Sequence, residues 1–276
     1  MGLVESASLR AELLELNRRY RSPHIWQESP GGVTLYEPEA EHHAHGNFLP
    51  GAYRAIMADP RWRLRLRKQH SHRRDLPARS SGQWKELDSC MSSDALLMNV
   101  FCYPAVFRDG RVCGTLGVAP GSVPHFGFKA RVPLASGHSD RTEVDLSLGE
   151  LLVESKLTES DFQNKPKAMV ERYRDFAAVF HSRALPQTRD CYHSYQLIRN
   201  VLAAHALGLS FCVLLDQRRP DLKEAWLAVM SAIRLRDLQV RCKTLTWQEL
   251  ATDLPPRLQR FLAEKYGIEA ASAARA

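Results

Sequence analysis

Residues 141–156 read RTEVDLSLGELLVESK, and Glu143, Asp145, Glu154 and Lys156 fall at alternating positions of a stretch otherwise patterned as two buried strands. A core strand avoids charge, because an unpaired carboxylate loses its hydration there. In 150–156 a side-chain period of two puts Leu152, Glu154 and Lys156 on one face. A tight turn at Leu148-Gly149 would set Ser147 opposite Glu150, Asp145 opposite Leu152 and Glu143 opposite Glu154. Cross-strand partners share a face, so the three carboxylates and the lysine converge. Asp145 and Glu154 become diagonal neighbours with alpha carbons ~7–8 Å apart. A hard cation such as Mg2+ takes one or two carboxylates and keeps several waters. It can activate water and stabilise the charge developing on a phosphate, while Lys156 beside it holds the attacking water or neutralises the transition state. The same spacing also fits a solvated hairpin face on which Glu and Lys merely pair across strands, a cluster that relaxes when one member is removed.

The elements that must position these residues follow from periodicity. Residues 9–20 have helical spacing, a short helix fits 51–57 with Pro60 ending it, and a further helix over 86–103 stops at Pro104. Residues 104–124 hold several Gly and Pro and read as an irregular connection. Strands are expected at 126–132, 141–146 and 150–156, then helices at 167–180 and 192–207. A continuous apolar strand at 210–216, a helix at 222–236, a strand at 240–247 and one or two helices to Tyr266 complete the chain, with 269–276 a flexible tail. Helices flanking a mixed sheet make this an α/β protein.

Bulk properties narrow the partners. The chain has 276 residues, a formal net charge of +7 and an apolar share of 44%. That is an ordinary globular composition with a mild preference for polyanions. Six cysteines without a CxxC pair, several inside apolar runs, read as reduced core residues in a reducing compartment, hence the cytoplasm. The chain lacks the ~18-residue apolar run of a membrane span, so no membrane partner is expected.

Other motifs carry less. His42, His43 and His45 in EHHAHGNF invite a zinc reading, but no further ligand stands at a recognisable spacing. Residues 61–74 form the most basic run. If extended, they would present Arg61, Arg63, Arg65 and Arg67 on one face, with Lys68 following, a pattern that suits phosphate contacts and equally suits a solvated face. There is no G-x-S-x-G elbow, which excludes that route to serine hydrolysis. GTLGVAPG lacks the lysine of a P-loop.

The residues Asp145 and Glu154-Ser155-Lys156, with SSDALLMNVF before the sheet, LLVESKLTESDF and CYHSYQLIRNVLAA, resemble the PD-(D/E)XK nuclease superfamily, and within it a bacterial restriction-endonuclease-like family. The similarity runs from about residue 89 to 216. It implies a restriction-endonuclease-like core with a mixed central sheet flanked by helices, spanning 86–268, after a mostly helical N-terminal extension at 1–85. It implies Asp145 and Glu154 as metal ligands and Lys156 as the catalytic lysine, and Gln196 resembles a glutamine that some relatives carry near the site. Val144 stands where the superfamily's name has Pro. Glu86, Asp88 and Asp94 precede the sheet, none matching the acid that many relatives place there. Together these readings give a metal-dependent nuclease acting on nucleic acid, DNA in first place. Mg2+ is the cofactor (Mn2+ a substitute), Glu143 joins Asp145 and Glu154 at the metal, and a homodimer is expected for duplex cleavage. The alternative is a binding module that keeps the fold without turnover.

Overall fold

The computed structural model describes residues 2–39, 44–70, 76–78, 82–141 and 143–271. The chain divides into two compact units, one of Met1–Ser6 with Ser122–Thr246, the other of Ala7–Gly121 with Trp247–Ala276. Hydrogen bonds tie distant segments of the second unit together. Leu49 N–H donates to Asn99 Oδ1 at 2.7 Å, and Asn99 Nδ2 donates to Asn47 O at 2.9 Å, across the expected boundary at 85. Lys265 Nζ donates to Asn17 Oδ1 at 2.8 Å, which joins the last helix to the first.

The first unit is built on a five-stranded sheet. Its strands are β1 (Pro124–Lys129), β2 (Glu143–Leu148), β3 (Leu151–Ser155), β4 (Ser210–Leu215) and β5 (Cys242–Thr246), side by side in chain order. β1, β2 and β3 pair antiparallel, whereas β3–β4 and β4–β5 are parallel. Parallel neighbours need a crossover. Helix Tyr195–Leu207 supplies the first and helix Pro220–Ser231 the second. β4 is buried along Phe211 to Leu215, none more than 1% exposed, as its unbroken apolar run requires. The single helix expected over 167–180 is instead two short turns, Lys167–Val170 and Phe176–Val179. Tyr173 between them bridges to Leu134, which takes its backbone out of helix.

The β2–β3 hairpin turns at Gly149-Glu150, one residue later than expected. Gly149 has φ 56° at the first loop position, the positive φ that a II′ turn needs there. Ser147 therefore pairs with Leu152 and Leu146 with Val153. The register moves by two residues, so every side chain keeps its expected face.

In the second unit, Pro60 begins a helix rather than ending one. Pro fits the first helical position, and the Asp59 side chain caps Pro60–Arg65 by accepting from Arg61 N–H at 2.8 Å. A helix Arg111–Leu116 also forms inside the stretch expected to be irregular. Lys265, with none of its surface exposed, lies in this unit's interior. Its ammonium stands 4.0 Å from the ring centre of Tyr36, 4.6 Å from that of Tyr20 and 5.6 Å from that of Tyr266. Asn17 Oδ1 accepts from both Lys265 Nζ and the Tyr36 hydroxyl. Among the described residues, no helix is long and apolar enough to cross a membrane.

Candidate active site

β2 and β3 deliver the acids, and the crossover helix Tyr195–Leu207 holds them. Continuing the observed register by one residue puts Asp145 opposite Glu154, and Asp145 Oδ2 accepts the Ser155 N–H at 2.8 Å. Glu154 and Lys156 are 2% and 5% exposed, and Lys156 Nζ lies 3.0 Å from Glu154 Oε1. The helix closes on this pair from both ends. Gln196 Oε1 accepts from Lys156 Nζ at 3.0 Å, and Asn200 Nδ2 donates to Glu154 Oε2 at 2.8 Å. Gln196 and Asn200 are one turn apart and so share a helix face. Arg199 fixes the amide of Asn200 by donating to its Oδ1 from Nε at 3.2 Å and Nη2 at 2.7 Å. The same Nη2 donates to Glu143 O at 2.8 Å, tying the helix to the start of β2.

A solvated hairpin face does not describe this arrangement, since Glu154 and Lys156 are both removed from water. Burial by itself lowers the Lys156 pKa, but the charges of Glu154, Glu159 and Asp145 outweigh it and push the group up. The ammonium is therefore a fixed positive charge, with the Phe162 ring centre 5.4 Å away.

Asp145, Glu154, Lys156 and Gln196 are thus brought together. Glu143 lies two residues up β2, and among the described residues no three His, Cys, Asp or Glu side chains gather where they could hold a metal. Asp145 and Glu154 still supply hard carboxylate oxygens from facing strands. That donor set fits a divalent cation which takes one or two carboxylates and keeps its waters. Two of the acids before the sheet, Asp94 and Asp88, are committed elsewhere. Asp94 accepts from Arg65 at 2.9 Å and Lys68 at 2.5 Å, and Asp88 Oδ1 lies 3.1 Å from His45 Nε2. His42 and His43 lie outside the described residues, as do residues 71–75 of the basic run. The condition that this run be extended is not met. Arg61 pairs with Asp59, Arg65 and Lys68 hold Asp94, and Arg63 and Arg67 are exposed. All six cysteines are free, five of them buried.

Sequence reasoning missed Asn200 and Arg199. Their signal is positional: both are polar residues three and four places after Gln196, on a helix whose neighbours there are all buried.

A sheet of this order, crossed over by a helix that grips a Glu-x-Lys pair, is a restriction-endonuclease-like fold. The chain belongs to the family described as restriction endonuclease associating with ARP, whose model matches residues 20–267. No curated protein and no solved structure matches it.

Proposed function

We propose that this protein is a divalent-metal-dependent endonuclease that hydrolyses phosphodiester bonds, with DNA as its substrate. The observation that carries the reading is the buried Glu154–Lys156 pair, gripped at both ends by one helix. Buried ion pairs contribute little to stability compared with apolar residues of similar volume, so a fold kept only for binding gains little from one beside a third charge, Asp145. Asp145 and Glu154 would hold Mg2+, for which Mn2+ can substitute, and the bound ion supplies Lewis acidity to water and phosphate. Asn200 keeps the Glu154 carboxylate in one orientation. Lys156 donates a hydrogen bond to the incoming water or to a phosphate oxygen, and Gln196 holds its ammonium in place for that. Cutting both strands of a duplex calls for two such sites, hence a homodimer on DNA.

The test is incubation of the purified protein with supercoiled plasmid, linear duplex and single strands, in Mg2+, Mn2+ or EDTA. Cleavage confined to the metal lanes supports the reading. Retardation of DNA without cleavage under any metal replaces it with a binding module.

Two further outcomes are expected. Asn200→Leu weakens Mg2+ binding by about 10–100-fold, as loss of a ligand's hydrogen-bond partner commonly does, measured by calorimetry on the protein without DNA. An unchanged affinity would remove Asn200 from this role. Replacing the exposed Arg63 and Arg67 by Ala weakens DNA binding alike for all sequences and flattens its dependence on log salt, by about one unit of slope per lost phosphate contact. A slope equal to wild type would take that segment off the DNA.

A further inference from the structure

We infer that Arg219 is a positioning residue for Lys156, acting through the backbone just beyond it. This rests on the nuclease reading for its effect on rate, though not for its effect on structure. β3 ends at Ser155, and the Lys156 N–H just beyond it still bonds to β4, donating to Leu214 O at 2.9 Å. Residues 157–164 then run without helix or strand. A lysine at the first residue past a ladder is held on one side only, unless something fixes the chain beyond it.

Arg219 does so with every side-chain N–H it has. Its Nε and Nη2 donate to the two carboxylate oxygens of Asp221 at 2.9 Å and 2.8 Å. Nη1 donates to Glu159 O at 2.7 Å and Leu157 O at 3.4 Å, and Nη2 to Ser160 O at 3.4 Å. Those contacts use all five donors of a guanidinium. Within the clasped segment, the Leu157 N–H donates to Glu159 Oε2 at 2.7 Å. Glu159 is in turn one of the charges that keep Lys156 protonated.

The guanidinium has none of its surface exposed. Burying a charge so fully is costly, and packed apolar residues commonly do as well for stability. What they cannot do is gather three carbonyls of one short segment onto a single rigid plane. Arg219 precedes helix Pro220–Ser231, and Asp221 lies in that helix's first turn. The clasp therefore ties the segment after the catalytic lysine to a crossover helix, while Gln196 on the other crossover helix holds the lysine's tip.

The test compares wild type with Arg219→Lys and with the paired change Arg219→Met and Asp221→Leu, which leaves no buried carboxylate unmatched. Hydrogen exchange at the amides of Lys156 and Leu157 is read in metal-free protein. Faster exchange confined to 156–160 is expected, and exchange equal to wild type would overturn the inference whether or not the protein cuts DNA. With cleaving wild type, the single-turnover rate in Mg2+ is expected to fall by about 10–100-fold, the scale of a small misplacement of a reacting group. DNA affinity in EDTA and calorimetric Mg2+ affinity should stay at wild-type values. If both affinities fall in step with the rate, Arg219 supports the fold in general and the inference fails. If wild type cuts nothing, the nuclease reading falls alone and the exchange result still decides the clasp.

Discussion

Glu154→Ala and Asp145→Ala are expected to abolish Mg2+-dependent cleavage, by at least about 10²–10³-fold, while DNA affinity stays equal or rises. On the proposed reading each change removes a metal ligand and also a negative charge that repels phosphate. Lys156→Ala should stop cleavage with Mg2+ binding largely retained, because an ammonium is no ligand. Stability separates these variants in a way that an exposed acidic cluster would not. Glu154 and Lys156 are buried against each other, so Glu154→Ala takes the nearest carboxylate from the ammonium, leaves it only the charges of Glu159 and Asp145, and should cost up to about 3–5 kcal/mol. Glu154→Gln keeps the shape and an acceptor for Lys156, so it should unfold later than Glu154→Ala while remaining inactive. Denaturant melts beside plasmid assays measure both. Wild-type cleavage by Glu154→Gln would place the chemistry elsewhere.

Thermal stability should climb between about pH 7 and 9 because of Lys265. Burial drives its pKa down to about 7 from an ordinary 10.5, with Cys90 opposing weakly. Below pH 7 both folded and unfolded chains carry the proton, and the folded state bears the part of the burial penalty that Asn17 Oδ1 and the tyrosine rings do not offset. Between about 7 and 10.5 the folded state releases its proton first. The unfolded state then binds more protons, so stability rises with pH, by up to about 1.4 kcal/mol per unit. Groups packed around it limit the window from above. Burial pushes the thiol of Cys90 up and the hydroxyls of Tyr36 and Tyr266 up, and Tyr20 rises to about 12. Their folded forms keep protons longer than the unfolded chain does, so above about pH 9 they act against the climb. Lys265→Met is expected to raise the melting temperature at pH 6 and to remove the climb. Parallel melting curves for variant and wild type from pH 6 to 9 would show that the lysine does not titrate there.

How much of the molecule is legible in its sequence depends on the range of the interaction. The face shared by Asp145, Glu154 and Lys156 follows from the period of two, and it survives a misplaced turn. Moving the loop to Gly149-Glu150 shifts the partners by two and leaves parity unchanged. The chemistry of the pair is readable; its burial is not, because covering it takes the helix Tyr195–Leu207 from outside the hairpin. Pro60 misleads because proline both ends and begins helices, and only Asp59 as the cap distinguishes the two. The unit boundaries are beyond local patterning altogether. Asn17 and Lys265 meet across a sequence separation of 248, and no periodicity announces such a contact.

That last contact has a consequence for how the chain is made. Domains fold as units during synthesis, with residues added at about 5–20 per second. All five strands of the sheet, from Pro124 to Thr246, leave the ribosome before the segment that begins at Trp247. The five-stranded sheet can therefore assemble while the unit begun at Ala7 still awaits Trp247–Ala276. Until Phe261 and Lys265 arrive, Tyr20 and Tyr36 have no partner from that segment. A message truncated just after Thr246 would yield a formed sheet on a chain whose other unit is unfinished and leaves aromatic surface uncovered, the kind of product that cellular proteases remove.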